Sequence, residues 1–282
     1  RGGVRQRPVL LHGPCRTAAH QHRRLAVSGQ VVFVGAGPGA ADLITLRGAR
    51  VIEQADIVIW ASSLVDEGIV AGARPDALVI DSASASLEDI TPLYQRAHDE
   101  ALLVARVHTG DPSIYGATAE QRRICEEIGI PHRTIPGVSA FSAAAAHMDA
   151  EITVPEVSQS LILTRLEGGR TPMPPRETVR GFAAHGATMV IFLSIGLIDK
   201  VQPALLQGAY TPDTPAAVVY KASWPEEKIV RCTVGSLAES TRAAGITKTA
   251  LIVVGDFLGT QYERSKLYDP AFTTEFRKGE PV

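Results

Sequence analysis

No asparagine occurs anywhere in the chain, so it carries no N-linked glycosylation site. Cysteine is scarce too. Cys15, Cys125 and Cys232 lie far apart and show neither a CxxC nor a Cys/His ligand spacing. That excludes a disulfide framework and a zinc motif, and it points to a reducing, cytoplasmic setting. Aromatic residues make up only 5% of the chain and Trp occurs twice, which leaves little for stacking single-stranded nucleic acid. Long apolar runs are also missing. The longest, near residues 188–198, is well short of the roughly 20 residues that span a bilayer, so no membrane helix is expected.

Acidic residues are absent from residues 1–29, which hold six arginines. The remaining 22 basic and 30 acidic residues give the rest of the chain a net charge of −8. A nucleic-acid-binding body would be basic, so this partner class is excluded. The Arg-rich opening has too little apolar periodicity to fold and reads as a disordered extension, whether transit peptide or extended reading frame.

From Gln30 onward the 282-residue chain has ordinary globular character, with 45% hydrophobic and 21% charged residues. Short β-branched or apolar runs at 31–34, 57–60, 77–80 and 102–107 read as buried strands alternating with helices. Thr91-Pro92 reads as an N-cap followed by a first-turn proline. A second series begins near residues 151–155. It comprises strands at 160–164, 188–193 and 251–254, a strand pair at 216–221 and 228–232 across the turn Ser223-Trp224-Pro225-Glu226-Glu227, and helices near 176–184 and 237–244. This alternation predicts an α/β fold with a mostly parallel sheet. It also predicts two domains, residues 30–152 and 153–282.

Gly35-Ala36-Gly37-Pro38-Gly39-Ala40 follows a strand and opens a helix, as a dinucleotide fingerprint would. A dinucleotide site also needs an acid at the end of the second strand to hold the ribose. Here that strand ends Ile59-Trp60-Ala61-Ser62, so a plain strand–helix turn explains the glycines as well. Two further loops fall at predicted strand ends, His108-Thr109-Gly110-Asp111-Pro112-Ser113-Ile114-Tyr115-Gly116 and Pro136-Gly137-Val138-Ser139-Ala140. A third strand, ATMVIFLS, ends at Ser194. Ligands of open α/β sheets bind outside the carboxyl ends of strands, so these segments can line one cleft. Singly each is bland: GDP is a common turn, Ser139 a helix cap, His108 a packed histidine.

As an ordered set, GAGPGAADLITLRG, SSLV, GDPSIYG, PGVSA, ATMVIFLS and TALIVVG resemble the tetrapyrrole (corrin/porphyrin) methylase family over about residues 30–277. VPEVSQSLILTRLEGGRTPMP at 154–174 and VVYKASWPEEKIVRCTV at 218–234 look most like the branch that methylates C11 of precorrin-4. The resemblance implies two α/β domains with a cofactor cleft between them, S-adenosylmethionine as methyl donor, and a homodimer. It places Gly110, Asp111, Ile114, Ser139 and Ala140 at the cofactor, with Leu193, Ala222 and Ala250 opposite and Pro38 at the floor. Some relatives carry an acidic base after the second strand, where this chain has Ala61. No catalytic base is fixed. His108 and Tyr115 flank the GDP turn as candidates, with packing the plainer role.

A precorrin is a macrocycle fringed with carboxylates, which clustered Arg and Lys recognise. Arg165, Arg170, Lys221, Lys228 and Arg231 lie in the two branch-specific stretches and are the substrate-binding candidates, although most surface arginines are merely solvated. No metal site is expected. Methylation at another ring carbon, or of the cobalt-containing ring, stays open. So do a dehydrogenase, a non-catalytic tetrapyrrole carrier and a diphthine-forming methylase. The dehydrogenase lacks its ribose acid, and a carrier would not need the GDP and PGVSA loops.

Overall fold

The computed structural model describes residues 29–168, 171–259 and 268–280. The expected extension at residues 1–29 lies, but for Gly29, outside the described residues. The first sheet holds β1 (Gln30–Gly35), β2 (Ile57–Trp60), β3 (Leu78–Asp81), β4 (Leu103–His108) and β5 (His132–Ile135) in the order β3-β2-β4-β1-β5. All four pairings are parallel. Alternate residues of β1 serve opposite faces, as the two-residue strand period requires. Val32 and Val34 pack with Val51 and Ile52 of α1 (Leu46–Gln54) and with Ile69 and Val70 of α2 (Glu67–Val70). Val31 and Phe33 pack with Ile90 and Tyr94 of α3 (Leu87–Asp99) and with Cys125 of α4 (Thr118–Ile128).

α3 does not start at Thr91-Pro92. Ser86 caps it through a capping box with Asp89, and Pro92 sits inside the helix. Proline there lies past the first turn, so the helix forgoes the bond that an N–H at this position would make to Glu88 O.

The second sheet holds β6 (Leu161–Arg165), β7 (Thr188–Phe192), β8 (Pro215–Tyr220), β9 (Lys228–Thr233) and β10 (Ala250–Val254) in the order β6-β7-β10-β8-β9. Only β6 and β7 run parallel; the β8–β9 hairpin is antiparallel as its short turn implies, and the antiparallel pairings of β10 with β7 and β8 run contrary to the mostly parallel expectation. Strands buried on both faces read as continuous apolar runs in either direction, so the pattern carries no sign of strand polarity. Met189, Ile191, Val218, Ile252 and Val254 pack with Val179 of α6 (Val179–Ala183), Val201 of α7 (Ile198–Leu206) and Leu237 of α8 (Leu237–Ala243).

The opposite face of this sheet, with Val190, Ala217, Val219, Leu251 and Val253, packs against Ala143, Ala144 and Met148. The two alanines belong to α5 (Ala140–His147), which follows β5 and lies before the expected boundary at residue 152. Alanine side chains let the helix lie close to the strands. Among the described residues, no helix is long and apolar enough to cross a membrane.

Candidate functional site

The chain leaves β1 toward β2 through α1 and leaves β4 toward β5 through α4, on opposite faces of the sheet. The crevice between β1 and β4 is therefore the topological switch point, where open α/β sheets bind ligands. Here Gly110 N–H donates to Gly37 O at 2.7 Å and Gly37 N–H to Gly110 O at 3.3 Å. Asp111 draws in the third loop. Its Oδ2 accepts from Gly137 N–H at 3.0 Å, while Oδ1 accepts from Ser113 N–H at 2.8 Å and from the Ser113 hydroxyl. Burial opposes ionisation of Asp111, but the bonds from Ser113 and Gly137 outweigh it and hold the carboxyl below the ordinary range.

Glycine is required by this knot. A side-chain carbon at Gly137 would lie 2.1 Å from Gly110 O, and one at Gly35 would lie 2.5 Å from the Gly137 Cα. The bare backbones thus meet at the carboxyl end of the sheet.

Most of the glycine loop's backbone donors are already engaged within the protein. Ala36 N–H donates to His108 O at 2.8 Å, Gly37 N–H to Gly110 O, and Ala40 N–H to Ser223 Oγ at 3.0 Å. Pro38 has no N–H, and its carbonyl accepts from Trp224 Nε1 at 3.0 Å. The loop leads into a 3-10 turn at Ala41–Leu43, and α1 starts later, behind the Thr45 cap. Three of the loop's donors are thus taken up within the protein and Pro38 has none to offer, which argues against the dinucleotide reading.

Backbone strain gathers around this crevice. Tyr115 (φ 54°), Ala117 (φ 47°), Leu193 (φ 53°), Lys221 (φ 46°), Ser223 (φ 68°) and Thr249 (φ 52°) are all left-handed without being glycine. Such conformations cost of order 1–3 kcal/mol each and collect at ligand sites. Ala222 lies between two of them and Ala250 follows a third, and Lys221 N–H donates to Thr249 O at 3.0 Å. Leu193 is 73% exposed at the end of β7, so its strained backbone presents an apolar side chain with little protein around it. The Tyr115 ring meets Phe192 at 5.3 Å between centroids, which brings the GDP loop against the end of β7.

A family model described as Tetrapyrrole (Corrin/Porphyrin) Methylases matches residues 30–238. The chain belongs to this family. A cobalt-precorrin-4 C(11)-methyltransferase of Methanocaldococcus jannaschii is 49% identical over 250 residues, 88% of this chain and 96% of that one. A precorrin-4 C(11)-methyltransferase of Mycobacterium tuberculosis is 43% identical over 242 residues, 86% of this chain and 96% of its own. The solved structure of a cobalt precorrin-4 methyltransferase superposes with a TM-score of 0.79 at 42% identity, covering 82% of this chain and 96% of that one.

The remaining candidates of this tetrapyrrole methylase fall into distinct settings. Ile114 closes the GDP turn, donating its N–H to Asp111 O at 3.1 Å. Ser139 is buried at the N-cap of α5, yet its hydroxyl makes no capping bond; Ala140 opens the helix. The His108 ring packs 5.9 Å from Phe33, on the face covered by α3 and α4. Burial, aided by the nearby Arg106 charge, lowers its pKa to about 3, so the imidazole is neutral at physiological pH. Its Nε2 is buried without a partner among the described residues.

Most of the basic candidates have protein partners. Arg165 donates to the carbonyls of Thr171 and Pro172, both at 3.0 Å, and Arg231 to Met148 O at 2.7 Å. Lys221 pairs with Glu226 at 3.3 Å and lies 4.8 Å from the Trp224 ring centre. Lys228 is exposed at the start of β9, and Arg170 lies outside the described residues. Sequence reasoning overlooked Trp224 and Ser223, which bind the glycine loop from 186 and 183 residues away. Their one signal was a tryptophan, in a chain with two, placed in a hairpin turn.

Proposed function

We propose that this protein is an S-adenosylmethionine-dependent methyltransferase that methylates C11 of precorrin-4 to give precorrin-5, in corrin-ring biosynthesis. The observation that carries this reading is the 43–49% identity, over nearly the whole chain, to relatives named for methylation at that carbon. The crevice fits the cofactor. Its glycines leave bare backbone where a side chain would collide, and Leu193 is held strained and exposed at its edge.

Gly110, Asp111, Ile114, Ser139 and Ala140 would hold the cofactor from one side, Leu193, Ala222 and Ala250 from the other, above Pro38. When bound, S-adenosylmethionine supplies an activated methyl group on a good leaving group. The task left to the protein is alignment of donor and acceptor, and orientation of this kind lowers a barrier by about 7–11 kcal/mol. The knot of loops around Asp111 performs it by fixing the backbone before any ligand arrives. Tyr115 and Phe192 close one side of the crevice against water. Lys228, exposed at the start of β9, attracts the substrate carboxylates. The reading includes a homodimer in the cytoplasm and a division into domains at residues 152/153. His108, buried and neutral, packs and takes no proton.

The cobalt-containing ring is a second reading, favoured by the name of the 49% identical relative. Mass spectrometry after incubation with S-adenosylmethionine and precorrin-4, with and without cobalt, separates the two. One added methyl, located at C11 by NMR with a labelled donor, is the expected result. Methylation of an earlier precorrin only would overturn the C11 assignment.

A further inference from the structure

We infer that Trp224 and Ser223 form a latch that sets the floor of the cofactor pocket, making them positioning residues for the methyl donor. This rests on the methyltransferase reading above. The β8–β9 hairpin reaches from the second sheet to the glycine loop of the first and grips it twice. Trp224 Nε1 donates to Pro38 O at 3.0 Å, and Ser223 Oγ accepts from Ala40 N–H at 3.0 Å. Gly39 lies between these two points. A side-chain carbon there would come within 2.2 Å of the Trp224 ring, so the indole fills the notch that glycine leaves.

The latch is braced from behind. Ser223 is held left-handed, and its own N–H donates to Glu227 Oε2 at 2.6 Å. Glu227 also pairs with His147, the last residue of α5, at 2.8 Å. The Lys221 ammonium, 4.8 Å from the ring centre, also steadies the indole. The bracing therefore joins three segments that each contribute to the crevice. They are the glycine loop at 38–40, α5 running from Ser139–Ala140 to His147, and the hairpin around Ala222. Two hydrogen bonds and a filled notch thus fix Pro38 relative to Ala222.

The test is calorimetric titration of the folded protein with S-adenosylhomocysteine, alongside thermal unfolding. Trp224→Phe keeps a ring in the notch but removes the donor, and Ser223→Ala removes the second grip. Each is expected to raise the dissociation constant about fivefold to tenfold, the scale of one lost hydrogen bond. The double variant should lose less than the product of the two, because the grips act as a unit. KM for S-adenosylmethionine should rise in step, while KM for the macrocycle stays within about twofold. Unchanged affinity in both variants, with or without a lower unfolding temperature, would reduce the contact to a structural tie and overturn the inference. If Trp224→Phe does not fold, Ser223→Ala decides alone. Failure of the unmodified protein to bind S-adenosylhomocysteine would instead sink the functional reading.

Discussion

Asp111 Oδ2 accepts a hydrogen bond from Gly137 N–H at 3.0 Å and so fastens the loop after β4 to the loop after β5. The same carboxylate takes two donors from Ser113. Asp111→Asn replaces one acceptor with a donor that must face another donor. Hydrogen bonds to a charged group contribute about 1.5–3 kcal/mol. Affinity for S-adenosylhomocysteine should therefore fall about tenfold to a hundredfold, measured by calorimetry, with the protein still folded.

Gly137→Ala tests the close approach of the loops directly. The new methyl would press on backbone atoms of Gly110 and Gly35, which have no rotamer to yield. We expect a loss of about 3 kcal/mol in urea unfolding, at the upper end for overpacking. Gly72→Ala is the control. There the nearest atom is a Glu53 side-chain carbon at 3.8 Å, and the change should stay within about 0.5 kcal/mol.

The first sheet was legible because every strand but β2 ends at a glycine, proline or acidic turn, and helices alternate with the strands. The second was legible as strands and in the β8–β9 hairpin, but the direction of β10 was not, since residues such as Val218, Val219, Ile252 and Val253 are buried on both faces. The expected elements include neither α4 nor α7. α4 starts at a left-handed Ala117 with no side-chain cap, and α7 enters from a 3-10 turn without one, so neither shows a start signal. Gly110, Asp111 and Ser139 stood out through an ordered set of loops. Trp224 did not, because its partner Pro38 is a backbone carbonyl, and such pairing leaves no pattern in a single sequence.

His108 makes the fold sensitive to mild acid. Its imidazole takes a proton only at a pH of about 3, whereas the unfolded chain does so near 6.5. Between those values the unfolded state binds more protons, so stability falls as pH drops from 6.5 toward 3. By pH 5 this group should cost about 2 kcal/mol relative to pH 7. His108→Phe should flatten the curve by that amount in denaturant titrations at the two pH values. An unchanged slope would show that the imidazole is not held neutral.

Leu193→Gly separates strain from function. The side chain is mostly exposed, so it adds little to the core, and glycine adopts φ 53° freely. Stability should change by less than about 1 kcal/mol, because relief of strain offsets the greater freedom of the unfolded chain. Affinity for S-adenosylhomocysteine should nevertheless drop several-fold. Equal affinity would remove Leu193 from the pocket.

α5 is made directly after the last strand of the first sheet and lies on the second sheet, with Ala143 and Ala144 against Val190, Val219 and Val253. Translation exposes the consequence. When the ribosome has finished the first sheet, the alanine-rich helix still has no surface to cover. The surface exists only once β10, more than a hundred residues later, has been added. A protein cut after residue 152 would yield one piece with an unclad helix and another with a naked sheet face. Co-expressed, the two pieces should find each other; alone, each should precipitate.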